Sequence, residues 1–268
     1  MNLRWMSGAD RGMVRLAVRH AYAYRASFIT TAVLLVVEVF LLRMVWTAVY
    51  DGRSSVDGLS LHTLIVSLTL INLQMFLMTT PIVQHIHSRI RTGVVFFDFV
   101  RPIGYPRQML GIQAGTTVGQ ASLLLPAIPA AFLAGAIAPP AGTGAALAYA
   151  LSLILGYAIA VLLALLLGMA AFWTIEISGI ALFYRFVSHF FAGTMIPLTF
   201  FSGPLRTLAD LLPFRFLGYV PAAIYVGVID GSEVPRVLAA QAVWVVVLAG
   251  VFWLVWLRAQ RRLVVQGG

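Results

Sequence analysis

The sequence has 268 residues, 61% of them hydrophobic and 10% charged, with a formal net charge of +9. About a quarter of the residues of a soluble domain are charged, so a soluble globular fold is excluded. All eighteen basic residues are arginine; a Walker A phosphate loop needs its lysine to reach the β- and γ-phosphates, so the chain is not a P-loop ATPase.

The mean hydropathy is +0.94, and several stretches exceed the roughly 18 apolar residues that mark a membrane helix. These features predict an all-α polytopic membrane protein, a single domain over residues 1–268. The short alternating segments of a transmembrane β-barrel are missing. Cysteine is absent, which removes disulfides and thiolate metal sites. The arginines flank apolar runs, so their predicted partner is an anionic lipid surface and not nucleic acid.

Residues 1–25 come first. Arg11, Arg15 and Arg19 recur every four residues and line one face of an amphipathic helix lying at the membrane surface. Six spans follow, near 26–49, 61–83, 108–135, 144–171, 179–201 and 236–257. The third is long for a hydrocarbon core of about 30 Å, and Pro126 and Pro129 offer a kink near its outer end. Residues 1–25, 84–107 and the tail carry twelve arginines, against Arg53, Arg206, Arg215 and Arg236 on the other side. That excess predicts cytoplasmic amino and carboxyl termini. Segment 202–235 is too broken by Pro204, Pro213 and Pro221 to be one span and too apolar to be a solvated loop. It reads as short re-entrant helices dipping into the outer leaflet.

Within the spans, Gly111, Gly115 and Gly119 recur at intervals of four and form a groove for close helix approach. Intrachain packing is the preferred reading, with a subunit contact as the alternative. Glu38 falls near the middle of the first span. A central carboxylate costs about 2.5–3.5 kcal/mol on insertion scales, so it faces protein or water. It is either a pathway residue or a neutral, hydrogen-bonded structural acid. Glu176, Arg185 and His189 sit around the start of the fifth span, where interface anchoring is the simplest role. Ser178 and His189 give no nucleophile–base–oxyanion constellation. His85 and His87 lie two apart with no partnering acid or thiolate, so no metal site is expected.

One stretch stands apart, IRTGVVFFDFVRPIGYP at 90–106. Gly93 ends or bends a helix, and Pro102 disfavours helix at Arg101. Between them lies an apolar, aromatic run interrupted by Asp98. It reads either as an interfacial helix with arginines on lipid phosphates or as a docking knob for a soluble partner.

This stretch resembles the cytoplasmic segment of type-2 ATP-binding-cassette (ABC) permeases, of the form basic-x-Gly-x-x-(apolar)-Leu-x-Arg-Pro. Gly93, Arg101 and Pro102 occupy the corresponding places, and FDFV replaces the usual residues around the leucine. A second stretch, 193–227, is similar to the family's Gly-x-x-(Ile/Val)-Pro-Leu … Leu-Pro-Phe … Pro … Gly block, through Gly193, Pro197, Leu198, Leu212, Pro213, Phe214, Pro221 and Gly227.

The resemblance implies a permease in the bacterial plasma membrane. It would pair with a second permease copy or a related permease and with two separate ABC ATPase subunits. ATP and Mg would bind those subunits, with no cofactor in this chain. Export is the direction the resemblance implies. Arg89, Arg91, Gly93, Asp98, Arg101 and Pro102 become candidates for coupling to the ATPase, by contact or by shaping the element. Pro197, Leu198, Pro213, Phe214 and Pro221 become candidates for an outer gate. The competing classes are a secondary transporter coupled to protons through Glu38 or Glu176, and a membrane assembly protein that transports nothing.

Overall fold

A computed structural model describes residues 25–266 apart from 57, 134 and 175. The expected amino-terminal interfacial helix lies largely outside the described residues. The described chain is built of α-helices, with one two-stranded hairpin.

The first helix, α1, runs Arg25–Tyr50. A short hairpin follows, β1 (Ser55–Val56) pairing antiparallel with β2 (Leu59–Ser60), in the register Ser55 to Ser60 and Val56 to Leu59. Ser60 then caps α2 (Leu61–Leu77), its hydroxyl accepting from the Thr63 amide at 3.1 Å. Such a cap satisfies one of the four unpaired amides at a helix start.

The predicted second span is two helices. After α2 the chain breaks at 78–81, where Pro81 cannot donate an amide, and resumes as α3 (Ile82–Arg91). Together they form an apolar unit, Leu61–Arg91, reaching well beyond residue 83. A five-residue helix, α4 (Val95–Phe99), precedes α5 (Tyr105–Leu133), which continues as helix through Pro126 and Pro129. α6 (Thr143–Met169) is apolar all round and continues into a 3-10 turn at Ala170–Phe172.

α7 (Ser178–Ala192) has 15 residues. At 1.5 Å per residue it spans about 22 Å, short of a roughly 30 Å core. The expectation of one continuous span over 179–201 is corrected here. Gly193 takes φ +83, and the Thr194 amide bonds back to His189 at 3.3 Å. This left-handed capping turn stops the helix. Asn72 of α2 donates to the Thr194 carbonyl at 3.1 Å and fixes the turn in place.

Segment 202–235 forms α8 (Gly203–Leu211), a 3-10 turn at Pro213–Phe216 and α9 (Tyr219–Tyr225). α9 is buried at Val220–Ile224 and packs against α2 and α6. The last helix, α10, extends over Val234–Gln266, past the expected end at 257.

α6 is the hub: α10, α9 and α3 all pack on it. Two close approaches on α6, at Gly156 and Gly168, allow this packing, and a third at Gly218 seats the chain against the end of α7. A Cβ on Gly156 would stand 2.5 Å from the Phe216 carbonyl oxygen, one on Gly218 2.7 Å from the Ala192 oxygen, and one on Gly168 2.6 Å from Ile86 Cδ1. Among the described residues, three units are long and apolar enough to cross a membrane: Leu61–Arg91, Thr143–Phe172 and Val234–Arg262.

Candidate functional site

The connection between α3 and α5 is where the sequence-derived candidates gather. α3 ends at Arg91, and the Thr92 amide and hydroxyl both donate to the Ser88 carbonyl, at 3.0 and 2.8 Å. Gly93 takes φ +73 with nothing within 4 Å of a Cβ position. The left-handed backbone alone therefore selects glycine there. The turn throws α4 back against the end of α3.

Asp98 is buried, at 1% exposure. The Arg89 guanidinium grips it with two nitrogens, through Nε to Oδ2 and through Nη2 to Oδ1 at 2.7 Å. Arg89 Nη2 also donates to the Val94 carbonyl at 3.3 Å. Arg101 approaches Asp98 Oδ1 at 3.5 Å and donates to Gln108 Oε1 at 3.4 Å. Gln108, fully buried at the start of α5, donates through Nε2 to the backbone carbonyls of Asp98 (2.6 Å) and Ile103 (2.7 Å). A buried carboxylate is tolerated only when charge and hydrogen bonds compensate its lost hydration, and here they do. The network binds α3, α4 and α5 into one block.

The apolar side of the block is aromatic. Phe99 stacks on Tyr105 at 4.9 Å, and Tyr105 stacks on Trp256 of α10 at 5.6 Å. Trp256 and Ala259 are buried in the same cluster as Val95 and Tyr105. The tail of α10 thus lies at the same end of the bundle as residues 89–107.

Burial of Asp98 turns the other face of α4 outward. Phe96, Phe97 and Val100 are 65%, 64% and 69% exposed. Arg91 and Pro102 are exposed nearby. The site therefore has a hydrogen-bonded polar base and an apolar, exposed tip. Beside it runs a groove of about 520 Å³ floored by Phe99, Tyr105 and Trp256 and edged by Arg101 and Gln260.

The other candidates are dispersed. Glu38 is exposed on α1, and among the described residues no hydrogen bond or ion pair engages it. Gly115 and Gly119 are buried and Gly111 half-buried on α5, which packs against α1, α2 and α3. Pro197 and Leu198 are buried, Leu198 in a cluster with Phe191, Phe201 and Ala209. Pro213 and Pro221 are buried, and Phe214 meets Tyr184 edge-on at 6.0 Å. Among the described residues no group of acids and histidines is placed to hold a metal ion.

Several structural residues escaped sequence reading. Gln108 is not among the residues that the sequence singles out, and Trp256 lies in another predicted span. In segment 202–235 Asp210 pairs with Arg206 at 3.0 Å and with Arg215, while Arg206 donates to the Leu198 carbonyl at 2.8 Å. The i,i+4 spacing of Arg206 and Asp210 was a legible signal.

The model of the family described as "ABC-2 family transporter protein" matches residues 29–267 of the chain. A search of curated proteins returned no significant match.

Proposed function

Because the chain belongs to the ABC-2 family of transporter proteins, we propose that it is the membrane subunit of an ATP-driven exporter in a bacterial plasma membrane. Six spans with both termini in the cytoplasm complete this reading. Two permease chains form the pathway, and two separate ATPase subunits, which bind ATP and Mg, dock at the 89–107 block. The lysine-free sequence supports a motor carried on another chain.

One observation carries the reading: the Asp98 network holds α4 rigid while Phe96, Phe97 and Val100 remain exposed. A short helix that presents aromatic residues on a fixed base is suited to transmitting a push. Phenylalanine is among the residues enriched at the cores of protein contacts. Closure of the ATPases biases the permeases between access states through differential contact with this block. The outer segment, with Pro197, Leu198, Pro213, Phe214 and Pro221, closes the far side. Glu38, unengaged on α1, faces the pathway or a neighbouring chain.

Arg101→Glu in the assembled complex tests the reading, because it sets a like charge beside Asp98. The expected result is an ATPase that hydrolyses without coupled transport, or one that no longer co-purifies. Normal ATPase binding with normal coupled transport would sink the assignment.

A further inference from the structure

Arg185 stands on α7 between two depressions. The larger, about 390 Å³, lies between the 78–81 break, α6 and α7. Its walls are Met75, Met78 and Leu217, with Gln84, Arg185 and His189 supplying polarity. The smaller, about 230 Å³, adjoins it and shares Arg185, Gln84 and Val83, with His87 on its rim.

No carboxylate lines either depression. The nearest acid, Glu176, stands at the edge of the smaller depression, where it accepts from the Ser178 amide at 2.8 Å and sits 3.7 Å from His87 Nε2. Among the described residues no side chain or carbonyl accepts from the Arg185 guanidinium. Arg185 lies seven residues into α7, about 10 Å along the axis. Arg185 is exposed at the edge of both depressions, so its guanidinium is open to an incoming anion.

From this geometry we infer that the α3–α7 depression recognises an amphipathic cargo with an anionic head. The head, a carboxylate or phosphate, pairs with Arg185, and the apolar body lies along Met75, Met78 and Leu217. Guanidinium matches either oxyanion in a two-nitrogen fork. Thioether side chains accommodate irregular apolar shapes. A cationic head would be repelled by Arg185, and a neutral head would leave Arg185 unpaired. The volume falls in the ordinary range of small-molecule sites, about 300–1,000 Å³. This inference names the cargo class for the proposed exporter and rests on that reading.

The test uses the full chain in phosphatidylcholine nanodiscs at neutral pH. The probes are a fluorescent long-chain fatty acid and the alcohol and amine of the same chain, followed by anisotropy. The wild type is expected to bind the acid at least about tenfold more tightly than either analogue, one charge-assisted contact being worth that ratio. Arg185→Gln should abolish the preference while still binding the alcohol, which reports an intact pocket. Equal binding of the three probes by wild type, or a preference kept in Arg185→Gln, overturns the inference. If Arg185→Gln binds nothing, Arg185→Lys decides: acid preference retained there supports the inference, and its loss overturns it. Adding the ATPase distinguishes cargo from resident lipid. Acid that stimulates hydrolysis and moves with ATP supports cargo, whereas binding without either effect overturns it. Failure of any ATPase to join the permease counts against the exporter reading alone, because probe binding needs no motor.

Discussion

Gln108 reaches back from the first turn of α5 to the main-chain carbonyl of Asp98, 2.6 Å away, so the buried acid is held at its backbone as well as at its carboxylate. Asp98→Ala removes the acid and leaves Arg89 and Arg101 facing each other. Removing one partner of a buried pair costs about 3–5 kcal/mol. The lower end is expected, because the Arg89 side chain is 23% exposed. Thermal unfolding in detergent measures the loss, and an unchanged midpoint would show that the network carries no stability.

The apolar tip separates function from folding. Phe96→Ala with Phe97→Ala deletes side chains about two-thirds exposed. Such surface changes shift stability by about 0.5 kcal/mol or less. The unfolding midpoint should therefore hold while recovery of the ATPase with the permease falls severalfold. Full recovery of a coupled ATPase would place the docking surface elsewhere.

Gly156 and Gly168 offer a contrast in packing. A methyl at Gly156 meets a backbone oxygen at 2.5 Å, and one at Gly168 meets the Ile86 Cδ1 methyl at 2.6 Å. Backbone cannot yield without moving the Pro213–Phe216 turn, whereas Ile86 has a rotatable end. Gly156→Ala is expected to cost about 1–3 kcal/mol, the range for overpacking, and Gly168→Ala less. Matched unfolding curves would rank them, and the reverse order would refute the account.

Gly93 should respond to backbone conformation alone. Its φ of +73 and empty surroundings predict a cost for Gly93→Ala of about 1–2 kcal/mol. Gly93→Asn should lose less, because asparagine tolerates the left-handed region. Equal losses would point to a hidden packing role.

Glu176 is held below its ordinary carboxylate value, first by the Ser178 side chain and amide and then by the positive field of His87 and Arg91. A depressed acid contributes stability above its unfolded-state value, and that contribution is lost as pH falls through the lower folded-state value. Glu176→Gln should lower the unfolding midpoint at neutral pH. The gap from wild type should close in acid. A gap independent of pH would assign the effect to packing.

How much of this was legible follows from the range of the interactions involved. The α6 span was read almost to the residue, because an unbroken apolar run declares itself locally. The break at Gly193 was missed inside an equally apolar run: one left-handed residue ends α7, and composition does not record it. The 90–106 stretch was singled out from its glycine, its Arg-Pro pair and its lone acid. The choice of Arg89 as the principal partner of Asp98, nine positions away, needed the reversal of the chain at Gly93.

By itself the sequence determined the membrane class, the absence of a phosphate loop and the clustering of arginines in residues 1–25, 84–107 and the tail, since hydropathy and charge act residue by residue. Only the tertiary structure decided that Asp98 turns inward and Phe96 and Phe97 outward, that Trp256 joins the stack of Phe99 and Tyr105, and that Arg185 overlooks an apolar depression without an acid. Each depends on which helices meet, and a contact between distant segments is energetically defined only once the chain has closed around it.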